Sequence, residues 1–395
     1  MAETVSVKPE LIRWAIERSR LHEEDLANSF PKLGEWRSGQ RMPTFRQLEH
    51  FASKTMTPLG YFFLDAPPDE TLPIPDFRTV GDTSIERPSP DLIETILAMQ
   101  RRQAWMREFV IDDGQQPLEF VASATNVRNV VSVAARIRGA LGLNADWAEA
   151  QNSWEDALRT LRNSSERIGV LVATSSVVGL NNHRHLDPQE FRGFVLCDDY
   201  APLVFVNGAD SKSAQMFTLA HELVHLWIGR GGLFNLIKMM PYDDVTERFC
   251  NQVAAEFLIP GHKLLERWKE ANATDKPFHA IARWFKVSPL VAARRALDLD
   301  LINKARFFVF YEKDQEEWRK RKAEEKEKKQ HEKGGPNFYD VQDVRLGKRF
   351  AYAVVRAARE GRLPYREAYQ LTDLKGDTFD RYADLLTQRI KNERR

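Results

Sequence analysis

Apolar residues recur at helical spacing over most of the chain, and strand-like runs gather in one stretch near its middle. From residue 8 to 65, Leu11, Trp14, Ala15 and Ile16 form one stripe and Leu26 and Ala27 mark a second short helix. Leu48, Phe51, Ala52, Leu59, Phe62 and Phe63 continue the pattern. Gly39 and Pro43 punctuate this region, and Thr44 stands where it can cap the next helix. Residues 66–90 are rich in proline and acid and read as an extended connector. Helices are predicted from Asp91 to Val110, at about 128–142 and at about 154–166. Strands follow at Ile168 to Ala173, Phe194 to Cys197 and Leu203 to Asn207, the last two joined by the turn sequence Asp-Asp-Tyr-Ala-Pro.

Beyond them, an apolar stretch from Met216 to Trp227 has helical spacing, with Asp210 or Ser211 as its cap and Gly229, Gly231 and Gly232 as its break. A helix from about Asp243 to Ile259 then stops at Pro260-Gly261. A helix pair is predicted over 278–302, its second member starting at Ser288-Pro289. Residues 311–333 mix both charge signs with almost no apolar side chains, which reads as a solvated helix or linker closed by Gly334-Gly335-Pro336. A small helical module resumes to residue 395, with Tyr352, Val355 and Ala358 on one stripe and Phe379, Tyr382, Leu385 and Leu386 on another.

At 395 residues the chain has room for two or three domains. Its formal net charge of +1 gives no global pull toward nucleic acid or acidic partners, so any such surface is local. Cys197 and Cys250 are the only cysteines and lie in apolar contexts, which suits a reducing compartment rather than a disulfide framework. The first ten residues hold no signal-like apolar stretch, and no apolar run reaches bilayer length. A cytoplasmic protein without a membrane partner is expected.

Residues 221–225 read His-Glu-Leu-Val-His. Four residues apart on a helix, His221 and His225 project from one face and can converge on one metal ion. Glu222 flanks that face, where its carboxylate can reach a metal-bound water without being a ligand. Two histidines hold zinc poorly, and catalytic sites supply a third protein ligand while leaving one position open. On the next helix Glu247, Cys250, Asn251, Ala254 and Leu258 fall on one stripe. Glu247 therefore points inward, where a lone carboxylate is costly unless paired or coordinated, and is the preferred third ligand. Asn251, one turn later, is a candidate to orient it from behind. Glu256, half a circle away, is expected to face water. Cys250, His183 and His185 remain alternative donors by residue type.

These phrases resemble a known family. "MFTLAHELVHLWIG" followed by "TERFCNQVAAEFLIP" is similar to the ImmA/IrrE-type metallopeptidases, in which a His-Glu-x-x-His helix precedes Glu-x-x-Ala-Asn-x-Phe-Ala-Ala-x-x-Leu-x-Pro. Glu247 takes the family's zinc-ligand glutamate, Asn251 its asparagine, Ala254 and Ala255 its alanine pair and Pro260 its proline. Cys250 replaces an alanine and Val253 a phenylalanine. "FRGFVLCDDYAPLVFVN" resembles the family's strand pair, and "PIPDFR" the segment before its peptidase. The resemblance implies an α+β, zincin-like core with flanking helical modules. It also implies a zinc-dependent endopeptidase that cleaves a repressor-like transcriptional regulator, using a zinc-bound water activated by Glu222.

Two segments resemble helix-turn-helix modules. The phrase Trp-x-x-Gly-x-x-x-Pro-Thr over 36–44 is similar to phage-repressor-type regulators, but Ala27 and Trp36 are nine apart, about one helical turn short where a recognition helix belongs. In 278–302, Ala282, Val287 and Ala292 have a matching spacing, and Arg294 and Arg295 are candidate phosphate contacts. The expected organisation is a helix-turn-helix-like module at 1–65, a connector and amphipathic helix at 66–110, and the peptidase core at 111–265. A second helix-turn-helix-like module at 266–310, a charged linker at 311–335 and a C-terminal module at 336–395 follow. A second function class stays open: a DNA-associated regulator, or the antitoxin of a toxin–antitoxin pair, acting by binding a toxin partner or DNA.

Overall fold

A computed structural model describes residues 3–70, 72, 74, 88–234, 245–329 and 337–393. The expected helix start at Asp243 and Asp244, most of the connector including "PIPDFR", and the closing Gly334-Gly335-Pro336 lie outside the described residues. Two compact units divide the chain, residues 1–73 with 83–97 and residues 74–82 with 98–395.

The first unit holds α1 (Pro9–Ser19), α2 (Glu23–Ser29), α3 (Leu33–Ser38), α4 (Phe45–Lys54) and a 3-10 turn at Leu59–Phe63. The tryptophan–glycine phrase has a packing reason. Trp36 is buried against Phe30 and Phe51, and Gly39 ends α3 in the left-handed region at φ 77°. Thr44 caps α4 through a reciprocal pair with Gln47. Helix α3 is six residues long, as the shortened spacing predicts. Phe63 departs from the predicted apolar pattern, being 52% exposed.

The second unit takes in most of α5 (Pro90–Asp112) and continues through α6 (Val130–Leu141), α7 (Trp154–Arg167), β1 (Leu171–Ser175), β2 (Gly193–Leu196), β3 (Leu203–Asn207), α8 (Lys212–Ile228) and β4 (Gly232–Phe234). The fold is α+β. Among the described residues the strands make a four-stranded sheet in the order β1-β3-β2-β4. β1 runs parallel to β3, with Leu171 opposite Leu203, while β2 pairs antiparallel with β3 and with β4. The "DDYAP" connection joins the antiparallel pair as expected. Phe194 and Phe205 stack across it with ring centroids 5.0 Å apart.

Helix α8 is apolar on nearly every side and buried from Gln215 to Ile228, so it is the central rod of the domain. Ser211 caps its N-terminus, and Gly229 ends it at φ 71°. Its last carbonyls would otherwise be orphaned inside the protein. The segment after α5 satisfies them: Ala122 N–H donates to Leu226 O at 2.8 Å and Ala124 N–H to Trp227 O at 2.7 Å.

Helices α9 (Val245–Leu258), α10 (Gly261–Asn272), α11 (Pro277–Phe285), α12 (Pro289–Asp298) and α13 (Lys304–Lys329) follow. Ala282, Val287 and Ala292, the helix-turn-helix-like positions, are all buried in the same core as α8 and α9. Glu256 corrects the sequence reading, because it is buried rather than facing water. Its carboxylate pairs with Arg295 of α12 and accepts from Gly261 N–H, while Arg138 of α6 donates to the Glu256 carbonyl at 2.8 Å. Three helices close over the end of α9, so the half-circle facing away from Glu247 is interior too.

The chain ends with α14 (Phe338–Leu346), α15 (Lys348–Arg359), α16 (Tyr365–Thr372) and α17 (Asp377–Glu393). Helix α14 packs on the edge strand β1. Tyr352 is exposed, and the buried stripe of α15 runs instead through Ala351, Val354, Val355 and Ala358. At this junction Glu166 of α7 accepts from Arg349 N–H at 3.3 Å at the start of α15. Burial outweighs the attraction of nearby arginine and lysine and raises its pKa to about 7. The native state therefore binds a proton that the unfolded chain releases at lower pH. Stability from this group is full below the ordinary glutamate range and is lost as pH rises through about 7. The loss is on the order of 2 kcal/mol for this partly exposed group. Glu166→Gln is expected to flatten this limb, so that scanning calorimetry shows its Tm gaining about 4 °C on wild type between pH 5 and 8.

Candidate metal centre

Helices α8 and α9 pack side by side and bring three donors together. The Nε2 atoms of His221 and His225 lie 3.0 Å apart. Glu247 places Oε2 3.2 Å from His221 Nε2 and Oε1 3.1 Å from His225 Nε2. All three side chains are buried. The helical repeat sets the His–His pairing, and the first turn of α9 supplies the carboxylate.

Burial lowers the pKa of His221, overriding Glu247 beside it. Burial acts to raise Glu247, but the two imidazoles outweigh it and hold the carboxyl below its ordinary range. Neutral imidazole beside an ionised carboxylate is the protonation state that metal binding requires. The donor separations of 3.0–3.2 Å, with each imidazole facing a different oxygen of Glu247, are close to the roughly 3.3 Å between ligands on a tetrahedral zinc with bonds of 2.0–2.1 Å. Two nitrogens and one carboxylate make a set suited to zinc. These residues fit the ion.

Glu222 stands next to this triangle, fully buried, and among the described residues neither of its carboxylate oxygens has a hydrogen-bond partner. Burial first, and then the charge of Glu247, push its pKa well above the usual carboxylate value. Asn251, the expected orienting residue, acts on His221 in favour of that ring's charged form, and its buried Oδ1 has no hydrogen-bond partner among the described residues. Cys250 is buried in the core outside the donor group, and His183 and His185 are exposed and also outside it. Arg295 is turned inward onto Glu256, which removes it from any nucleic-acid face, and Arg294 pairs with Asp298 of its own helix at 2.9 Å.

Gly193 is a site residue that sequence reasoning passed over. A Cβ there would meet Thr218 Cγ2 at 2.6 Å and Phe205 O at 2.8 Å, with Glu222 Oε1 at 3.4 Å. Only a bare backbone lets β2 lie this close to α8 beside the Glu222 carboxylate. A glycine inside an apolar strand was the available signal. Cys197, three positions after Phe194, has its thiol pKa pushed up to about 12 by burial and then by the charge of Glu222, so it is an un-ionised neighbour.

The short sheet, the long buried helix beneath it and the His-His-Glu group on two adjacent helices define a zincin-like peptidase core. Residues 165–297 match the model of peptidase family M78, described as the IrrE N-terminal-like domain. That segment is similar to the ImmA/IrrE family. Residues 346–384, spanning α15, α16 and part of α17, match a domain of unknown function, DUF8813. No curated protein matches the chain. Among the described residues, no helix is long and apolar enough to cross a membrane.

Proposed function

We propose that this protein is a zinc-dependent endopeptidase whose substrate is a repressor-like transcriptional regulator, with His221, His225 and Glu247 holding the ion. The observation that carries this reading is the buried, unpartnered Glu222 carboxylate beside the donor triangle. A structural metal site has no use for a buried acid that costs stability and bonds to nothing. Zinc in such a site lowers the pKa of water toward neutrality and polarises a carbonyl.

Glu222 supplies the proton traffic. Its carboxylate accepts the proton as water oxygen bonds to the scissile carbonyl carbon, then returns it to the leaving amine nitrogen as the C–N bond breaks. Burial raises the proton affinity of Glu222, which favours the step in which it accepts the proton. The regulator as substrate rests on the ImmA/IrrE resemblance.

The test compares wild type with Glu222→Gln, each expressed with an affinity tag, with co-purifying proteins identified by mass spectrometry. Glu222→Gln is expected to retain zinc, to trap an intact regulator that wild type returns as two fragments, and to slow cleavage of it by about 10²–10⁴-fold. An intact regulator bound equally by both forms would establish the binding protein or antitoxin instead.

A further inference from the structure

The inward stripe of α9 carries, besides Glu247, one amide: Asn251, one turn and about 6 Å further along the axis. Its neighbours on that stripe, Cys250, Ala254 and Leu258, are all buried. Asn251 Oδ1 is closed off from solvent and has no hydrogen-bond partner among the described residues, a costly state for an amide oxygen. Helix α8 packs beside this helix and brings His221 with it. Of the two ring nitrogens of His221, Nε2 belongs to the donor group, 3.2 Å from Glu247 Oε2 and 3.0 Å from His225 Nε2. Nδ1, across the ring, is buried as well. Asn251 acts on this ring in favour of its charged form, which a hydrogen-bond acceptor does and a donor does not. The amide therefore turns its oxygen, not its N–H groups, toward the imidazole.

We infer that Asn251 is a positioning residue for His221, its Oδ1 accepting from the ring's Nδ1–H when Nε2 serves as a metal ligand. The inference rests on the metal-centre reading and deepens it, because it assigns a residue to the ring's tautomer and not to the donor set. A neutral imidazole carries one proton. Without an ion, that proton can lie on Nε2, facing Glu247. Once Nε2 is a ligand the proton must sit on Nδ1, where a buried N–H needs an acceptor. The unpartnered amide oxygen supplies one, which gives a reason for a polar side chain among Cys250, Ala254 and Leu258. An amide also suits this place better than a carboxylate. Glu222 and Glu247 already put two acids here, and the charge of Glu247 raises the proton affinity of Glu222. A third acid would add to that repulsion in the metal-free protein, whereas an amide accepts the same bond without a charge.

The test uses the full chain and two variants. Asn251→Leu keeps the branched shape without an acceptor, and Asn251→Asp keeps the acceptor. Zinc affinity is read by competition with a fluorescent chelator, and the ring protons by proton–nitrogen correlation spectra of zinc-loaded protein with isotope-labelled histidine. Asn251→Leu is expected to bind zinc about 10–100-fold more weakly and to lose the slowly exchanging Nδ1–H signal of one histidine. Asn251→Asp should restore both the affinity and the signal, while unfolding in EDTA at a lower temperature than wild type because its added acid is then uncompensated. Wild-type affinity with an unchanged spectrum in Asn251→Leu overturns the inference. So does binding in Asn251→Asp as weak as in Asn251→Leu, which would assign Asn251 to packing. Either result leaves the metal centre and the peptidase reading standing. A wild-type chain that takes up no zinc would remove the centre and this inference together, so the failures are distinguishable.

Discussion

Glu247→Ala is expected to strip the protein of zinc. Wild type purified without chelator should carry close to one ion per chain, and the variant close to none, by plasma emission analysis. The carboxylate is the third corner of the donor triangle, 3.1–3.2 Å from each imidazole nitrogen, and no other carboxylate or thiol among the described residues joins that group. Two imidazoles alone leave the ion underliganded. The loss should also appear in stability. Zinc at a hundred times its dissociation constant stabilises wild type by about 2.7 kcal/mol, a rise in Tm of roughly 5–10 °C, and the variant should move by about 1 °C or less. Stoichiometric zinc in Glu247→Ala would remove the proposed centre.

The second large effect concerns the core rather than the chemistry. Glu256→Ala should destabilise the second unit by about 3–5 kcal/mol, seen as a Tm lower by roughly 6–15 °C. Removing this carboxylate leaves the Arg295 guanidinium buried without its counter-charge and Gly261 N–H without its acceptor. Burial already disfavours the charged form of both Arg295 and Arg138, so neither can readily do without the partner. Glu256→Ala combined with Arg295→Met should recover most of the loss, because an apolar pair avoids the uncompensated charge. A double variant as unstable as the single would show that the packing of the α9 end, not the ion pair, is what matters there.

Much of the centre was legible because it is local. His221, Glu222 and His225 lie within about one turn of a single helix, so the helical repeat alone sets their relative direction. Glu247 was reachable by the same reasoning, since it shares a stripe with Cys250, Ala254 and Leu258, and the structure buries all four. The strand pair and the caps at Ser211 and Thr44 were equally readable, each being decided within a few residues. Phe63, Tyr352 and Glu256 were misjudged for one common reason. Periodicity tells which residues share a face, but not how many faces the rest of the protein covers.

By itself, then, the sequence determined the helix that carries the imidazoles, the inward stripe of its neighbour and the α+β character of the domain. All of these follow from backbone periods of 3.6 and 2 residues and from capping chemistry. Tertiary structure alone decided that Glu247 comes within 3.1–3.2 Å of both ring nitrogens, that Gly193 must be bare beside Glu222, and that Arg295 turns away from solvent onto Glu256. Those outcomes depend on which elements, tens of residues apart in the chain, are pressed together. Contact distances between packed elements are set by the side chains of both partners, and no one-dimensional pattern contains them.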